Sequence, residues 1–223
     1  MLVTCPHCTR TFPYRENKEY TESTILAEGG DDEQLILALR AKRGLNIKRL
    51  TIEAKDGYSA ILENLKNIKI NSGYINIKKL LVVADANSAG IQTRFTEIVK
   101  KLDKKDFSLP TTIGKLSNPV LGKKQCGIFL FPDNIKNGTI EDLCLNALTY
   151  PNKLQCIDEH ITCIKNKNLF KTKSSELSKS RFHIYMSTSK NPTGNIGGAT
   201  HSSDLDLQSQ AFDKFVSFLS QLE

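Results

Sequence analysis

The chain has 223 residues, 39% of them hydrophobic, and carries 31 Lys and Arg against 24 Asp and Glu for a net charge of +7. That length buries one full core with a small appendage and excludes two large domains. No apolar run approaches the ~20 residues of a membrane-spanning helix, and the absence of Trp argues against an aromatic stacking platform as the main binding device.

The first twenty residues, MLVTCPHCTRTFPYRENKEY, have no regular apolar period and read as an appendage before the core. Ile25, Leu26 and Ala27 then form a short apolar strand ending at Glu28-Gly29-Gly30. From Asp31 to Arg40 the residues Leu35, Ile36 and Leu39 share one helical face. A second strand fits Leu50-Thr51-Ile52, followed by a helix in which Ile61, Leu62, Leu65 and Ile68 recur at helical spacing. The run Leu80-Leu81-Val82-Val83-Ala84, apolar throughout, predicts a central parallel strand covered on both faces and ending at Asp85. Ile91, Phe95, Ile98, Val99 and Leu102 mark an amphipathic helix with a basic end. Asp106 to Lys124 reads as a loop or hairpin, Gly127 to Phe131 as a fourth strand stopping at Pro132-Asp133-Asn134. Gly138-Thr139 then caps a helix carrying Glu141 and Asp142 in its first turn.

Alternating strands and helices predict an α/β fold, a parallel sheet of about four strands flanked by helices. The expected organisation is an N-terminal appendage over 1–20, an α/β core over 21–150 and a helical C-terminal extension over 151–223 packed on that core. In the extension, Leu154 to Lys165 and Gln208 to Leu222 read as helices, with a Ser, Gly and Pro rich stretch from Ser187 to Ser203 between them.

Three strands thus deliver acids to one sheet edge, the edge where ligands bind in open α/β sheets. They are Glu28 with Asp32, Asp85 with Asn87 after it, and Asp133 followed by Glu141 and Asp142. Any single cluster is accounted for as a helix cap, whereas three on one edge repel unless a hard cation such as Mg²⁺ or Mn²⁺ sits among them. The basic excess adds a bias towards polyanionic partners.

The segments Ile25-Leu26-Ala27-Glu28-Gly29 with Asp32, and Val82-Val83-Ala84-Asp85-Ala86-Asn87-Ser88-Ala89-Gly90, resemble the Toprim pattern. That pattern is a strand ending in Glu-Gly and a later strand ending in Asp-x-Asp-x-x-Gly, shared by primases, topoisomerases, recombination mediators and OLD-type nucleases. With Pro132-Asp133-Asn134 and Gly138-Thr139-Ile140-Glu141-Asp142-Leu143, the chain is similar to a small stand-alone Toprim-related family of unknown function over roughly 25–222. The resemblance implies a Toprim-like sheet, a Glu28 that serves as general acid or base or as a ligand, and Asp85 as metal ligand. Asp32, four residues after the glutamate, is similar to the OLD-type arrangement and becomes a ligand for the same metal.

Asn87 departs from the pattern, offering a neutral oxygen where the family has a carboxylate, so that Asp133, Glu141 or Asp142 would have to supply the missing charge. OLD-type nucleases add a lysine after the core, and Lys179, ahead of Arg181-Phe182-His183-Ile184-Tyr185, is the residue assigned to that role. The resulting expectation is a Mg²⁺-dependent (or Mn²⁺-dependent) nuclease acting on DNA or RNA. In phage defence, by analogy with OLD-type systems, a sensor or ATPase partner would switch it on. The alternative is a non-catalytic Toprim module that binds nucleic acid or a partner protein.

Other motifs carry less. Six cysteines at irregular spacing, without a signal peptide, predict reduced thiols in the cytoplasm. Cys5-Pro6-His7-Cys8 is half of a zinc knuckle whose other half is missing locally. Cys156, His160 and Cys163 share a helical face that would complete the site only by packing against the N-terminus, so the pair is expected not to be a structural zinc site. Gly194 to Gly198 reads as a flexible loop, not a phosphate loop, and His183 and His201 as isolated histidines without a nucleophile elbow. The oligomeric state is left open, a dimer included.

Overall fold

The computed structural model describes residues 2–4, 11–13, 19–169, 173, 176–190, 192 and 194–223. β1 (Leu2–Thr4) and β2 (Thr11–Pro13) form a two-stranded antiparallel sheet of their own. The main sheet has five strands, β3 (Ser23–Ala27), β4 (Leu50–Ala54), β5 (Lys79–Asp85), β6 (Phe107–Ser108) and β7 (Lys124–Phe131), in the order β4-β3-β5-β7-β6 and parallel throughout.

β5 lies at the centre, paired on both sides, and its residues from Leu80 to Ala84 are wholly buried. The strand pleat sends alternate side chains to opposite faces. Ile25, Ala27, Leu81, Val83, Phe129 and Phe131 therefore fall into one core, and Leu26, Leu80, Val82, Ala84, Ile128 and Leu130 into the other. The second core is covered by α2 (Tyr58–Asn67) and α3 (Ile91–Lys101). The first is covered by α1 (Gly30–Lys42), α4 (Ile140–Leu145), α5 (Lys153–Asn166), α6 (Leu177–Ser187), α7 (Ile196–His201) and α8 (Asp213–Leu219).

An α/β sheet flanked by helices is thus the observed architecture, with one strand more than the sequence predicts. The extra strand, β6, lies in the segment expected to be a loop or hairpin. Two residues are too few to carry a periodic signal, but Phe107 opposite Lys124 and Ser108 opposite Gln125 extend the sheet. The segment after β6 lines the same edge: Leu116 bridges Gly127, and the Ser117 hydroxyl accepts the Cys126 N–H at 3.0 Å. Tyr20, placed in the appendage by its position, is buried in the second core.

The C-terminal segment shows the largest differences. The helix expected from Leu154 to Lys165 is α5. The one expected from Gln208 to Leu222 is broken into 3-10 turns at Gln210–Phe212 and Ser220–Leu222 around α8. The Ser, Gly and Pro rich stretch contains α7, with Ile196 and Gly197 buried, so Gly194 to Gly198 is not wholly a loop. Asn195 caps that helix by accepting the Gly198 N–H at 2.7 Å. Gly197 admits α1 closely, since a Cβ there would stand 3.0 Å from Gln34 Cγ. Composition marks the segment as a linker, and packing against α1 overrides it.

α8 locks the extension onto the sheet. Phe215 lies 4.8 Å from Phe129 and 5.0 Å from Phe131, ring centre to ring centre, and Phe218 lies 5.4 Å from Phe129. Gly127 makes room for this, because a Cβ at that position would meet Leu81 Cδ2 at 2.9 Å and Phe218 Cε2 at 3.0 Å. Phe215→Ala is expected to destabilise the protein by about 3–5 kcal/mol, read as a lower urea midpoint with an unchanged slope. A loss under ~1 kcal/mol would mean that the extension is not part of the cooperative core.

Candidate functional site

The acids meet where the parallel strands end. Glu28 follows β3, and its Oε2 accepts the backbone N–H of Asp85, the last residue of β5, at 3.0 Å. Asp85 Oδ1 in turn accepts the N–H of Ile140 at 2.9 Å, at the start of the helix that follows β7. Two carboxylates therefore tie the ends of three neighbouring connections together. Asp32 stands in the first turn of α1, where its Oδ2 accepts the Gly29 N–H at 3.0 Å. Glu141 occupies the first turn of α4, with Oε1 3.8 Å from Lys179 Nζ on α6.

Glu28, Asp31, Asp32, Asp85, Glu141, Lys179 and His183 line one cleft of about 370 Å³. Asp32 and Glu141 are each only 5% exposed, and Asp32 Oδ1 and Glu141 Oε2 are buried without a hydrogen-bond partner. Native proteins leave few such atoms unpaired, and each one needs a physical reason. Burial, then the negative charge of Glu28, pushes the Asp32 carboxyl up to about 8. Burial and the charges of Glu28, Asp32 and Glu141 hold Asp85 well above the carboxylate range. Glu28 is raised by burial too, opposed by the backbone N–H groups of Asp85 and Tyr58 and by the charge of Arg94. The cluster is short of positive charge, which is the environment a cation relieves.

Not every predicted ligand arrives there. Asp142 is placed elsewhere by its own hydrogen bonds: Oδ2 accepts the Thr139 N–H at 2.8 Å and the Thr139 hydroxyl, and Oδ1 accepts the Ser178 hydroxyl. It caps α4 and anchors α6. Gly138 permits this, since a Cβ there would stand 2.6 Å from Asp142 Oδ2. Asp133 closes the turn after β7 by accepting the N–H groups of Ile135 and Lys136 at 3.0 and 2.8 Å. Asn87 adopts a left-handed backbone at φ 49°, donates its N–H to the Gly138 carbonyl at 2.8 Å, and is not among the cleft-lining residues.

The sequence reading missed His183, one helical turn beyond Lys179 on α6, and Asp31 beside Asp32. The i, i+4 spacing of Lys179 and His183 would have paired them had the segment been recognised as a helix. Cys5, His7 and Cys8 lie outside the described residues, and α5 presents Cys156, His160 and Cys163 to solvent. Among the described residues no group of three or more acidic, histidine or cysteine side chains is drawn close enough to enclose a metal by itself. The fit to a cation rests on the two orphaned carboxylate oxygens in one cleft.

The raised carboxyls set a pH dependence. Asp32 has an ordinary value of 3.8 and stands at about 8 in the fold, so the folded state keeps a proton that the unfolded chain releases. Its contribution to stability is full below about pH 4 and is lost as pH rises through about 8. In EDTA the unfolding free energy should therefore fall from pH 5 to pH 8, by up to about 1.4 kcal/mol per pH unit for each such group, and the melting temperature with it. Asp32→Asn should make the decline shallower and raise the melting temperature at pH 8, as thermal unfolding across that range would read. An unchanged profile would mean that Asp32 is not protonated in the fold. No curated protein and no solved structure matches the chain. A family model matches residues 22–223, the whole α/β sheet with its C-terminal helices, and the chain belongs to the family described as a protein of unknown function, DUF3226.

Proposed function

We propose that this protein is a Toprim-like, Mg²⁺-dependent or Mn²⁺-dependent nuclease that cleaves phosphodiester bonds in DNA or RNA. The observation that carries the reading is the pair of buried, unpartnered oxygens, Asp32 Oδ1 and Glu141 Oε2, in the cleft that also holds Glu28 and Asp85. Carboxylate oxygens without donors suit a hard cation. Asp32, Asp85 and Glu141 are the residues to hold it, Glu141 supplying the charge that Asn87 lacks. Such an ion, when bound, supplies Lewis acidity towards a phosphate oxygen and lowers the pKa of its water.

The chain's own groups have separable tasks. Glu28 is fixed by the Asp85 N–H, and its raised affinity for protons suits it to accept or hold one during the reaction. Lys179 and His183 reach the cleft from α6, and Lys179 Nζ sits where a cation can offset charge on a transferring phosphate. The net charge of +7 draws a polyanion to the molecule. A second reading, a module that binds without cutting, is favoured by Asn87, which offers a neutral oxygen where the Toprim pattern has a carboxylate.

The test is metal-dependent cleavage of a panel of single-stranded and double-stranded DNA, tRNA and other RNA. Cleavage should vanish in EDTA, and Asp85→Asn and Glu28→Gln should each lower the rate by about 100-fold or more. Calorimetry with Mn²⁺ separates metal binding from turnover: Asp85→Asn should weaken it, whereas Asn87→Asp, outside the cleft, should leave it unchanged. Undiminished Mn²⁺ binding in Asp85→Asn would sink the metal site. Mn²⁺ binding without cleavage of any substrate would select the binding module.

A further inference from the structure

The main strands run parallel, so their first residues share one edge of the sheet and their last residues, with the acids, share the other. β5 runs from Lys79 to Asp85, which sets the two edges about 20 Å apart. The edge away from the cleft collects the turns that precede the strands. The 3-10 turns Ile68–Ile70 and Tyr74–Asn76 lead into β5, residues 102–106 into β6, and residues 119–123 into β7. Short contacts join these turns into one surface. Lys124 Nζ lies 3.5 Å from the Ile75 carbonyl, and the Lys124 N–H donates to the Asp106 carbonyl at 2.8 Å. Lys123 Nζ donates to the Lys104 carbonyl at 2.7 Å, and Lys69 Nζ lies 2.7 and 2.9 Å from Asp103 and Asp106.

This surface is basic and apolar at once. Lys100 and Lys101 close α3, and Lys104, Lys105 and Lys123 follow in the turns; all five are exposed, and none forms an ion pair. The acids among them, Asp103 and Asp106, are already met by Lys69, and Asp106 also by the Tyr74 hydroxyl at 2.6 Å. Leu121 is 102% exposed and Ile70 and Ile75 are 84% exposed, the three most exposed large apolar side chains among the described residues, and Val120 is exposed beside Leu121. Projecting apolar chains rimmed by charge mark an interaction surface. The cations are lysines, point charges on flexible stems, whereas fixed recognition of a nucleic-acid phosphate favours arginine. A nucleic-acid backbone would answer the ammonium groups and leave the aliphatic chains in water. An anionic lipid layer answers both, because headgroups meet the ammonium groups and the aliphatic chains enter the acyl boundary without a preformed pocket. Such contact is peripheral, since no helix among the described residues is long and apolar enough to cross a membrane.

We infer that the edge where the strands begin docks on an anionic membrane surface, with Leu121, Ile70 and Ile75 inserted and the lysines on headgroups. The acidic cleft, at the other end of the strands, then faces away from the lipid. This docking surface stands independently of the nuclease reading.

Co-sedimentation of the full chain with vesicles tests it, using phosphatidylcholine alone and an equal mixture of phosphatidylcholine and phosphatidylserine. Binding should be confined to the mixture and should weaken with salt. Lys104→Gln with Lys105→Gln should lower it by about tenfold or more, and Ile75→Ser with Leu121→Ser by about tenfold. The same double neutralisation at Lys167 and Lys190, exposed residues outside these turns, should lower it less, and thermal unfolding identifies which variants are folded. The docking surface is overturned if the wild type ignores the mixture or binds both vesicle types equally. Undiminished binding in the folded serine variant, or an equal loss in the Lys167 and Lys190 control, also overturns it. So does a wild type that ignores vesicles but binds duplex DNA through Lys104 and Lys105, which would make the patch a nucleic-acid contact.

Discussion

Four carboxyl groups, those of Glu28, Asp32, Asp85 and Glu141, are brought to the end of one parallel sheet with too little positive charge around them. Lys179, 3.8 Å from Glu141, is the cation paired with a member of the cluster. The rest of the arrangement is organised by this constraint. Backbone N–H groups of Gly29, Asp85 and Ile140 donate to the carboxylates of Asp32, Glu28 and Asp85, respectively, so the acids are oriented by the ends of strands and the starts of helices. Such orientation holds the acids together against their mutual repulsion, and it keeps oxygens available at the centre.

The C-terminal residues are structurally part of this edge. α6 carries Lys179 and His183 into the cleft, and α6 is held on α4 through Asp142 and Ser178. α4 in turn is positioned by its N–H to Asp85. At the other end, Arg43 at the close of α1 donates to the carbonyls of Leu207 and Ser209, each at 2.7 Å. The extension thus bridges α1 and α4, the two helices bearing Asp32 and Glu141. A change in how it packs would alter the distance between those acids, which connects the aromatic cluster around Phe129 to the geometry of the site.

The stretch from Gly138 to Leu143 illustrates how a motif divides its work. Gly138 makes space, Thr139 and Asp142 cap, Ile140 offers its N–H to Asp85, and Glu141 brings its carboxylate into the cleft, which Ile140 also lines. Two adjacent acids of equal chemistry differ in role because successive residues on a helix point about 100° apart. Asp142 turns to the Thr139 N–H and the Ser178 hydroxyl, while Glu141 turns towards Lys179 and the cleft. The same reasoning applies to Asp133, whose carboxylate is engaged by the turn it closes.

The amino-acid sequence by itself determined the α/β class, the central strand from Leu80 to Ala84, and the edge at which the acids gather. Those features are local: they follow from apolar periodicity and from Glu28 and Asp85 standing at strand ends. It did not determine β6, whose two residues pair only because Lys124 and Gln125 lie beside them. α7, written in residues typical of a linker, takes its form from docking on α1. Which acids face the cleft, and that Lys179 and His183 line it with them, was decided by tertiary structure alone. Contacts such as Asp142 with Ser178, or Arg94 with Tyr58, join residues 36 positions apart, and no periodicity along a single chain encodes a distance between elements.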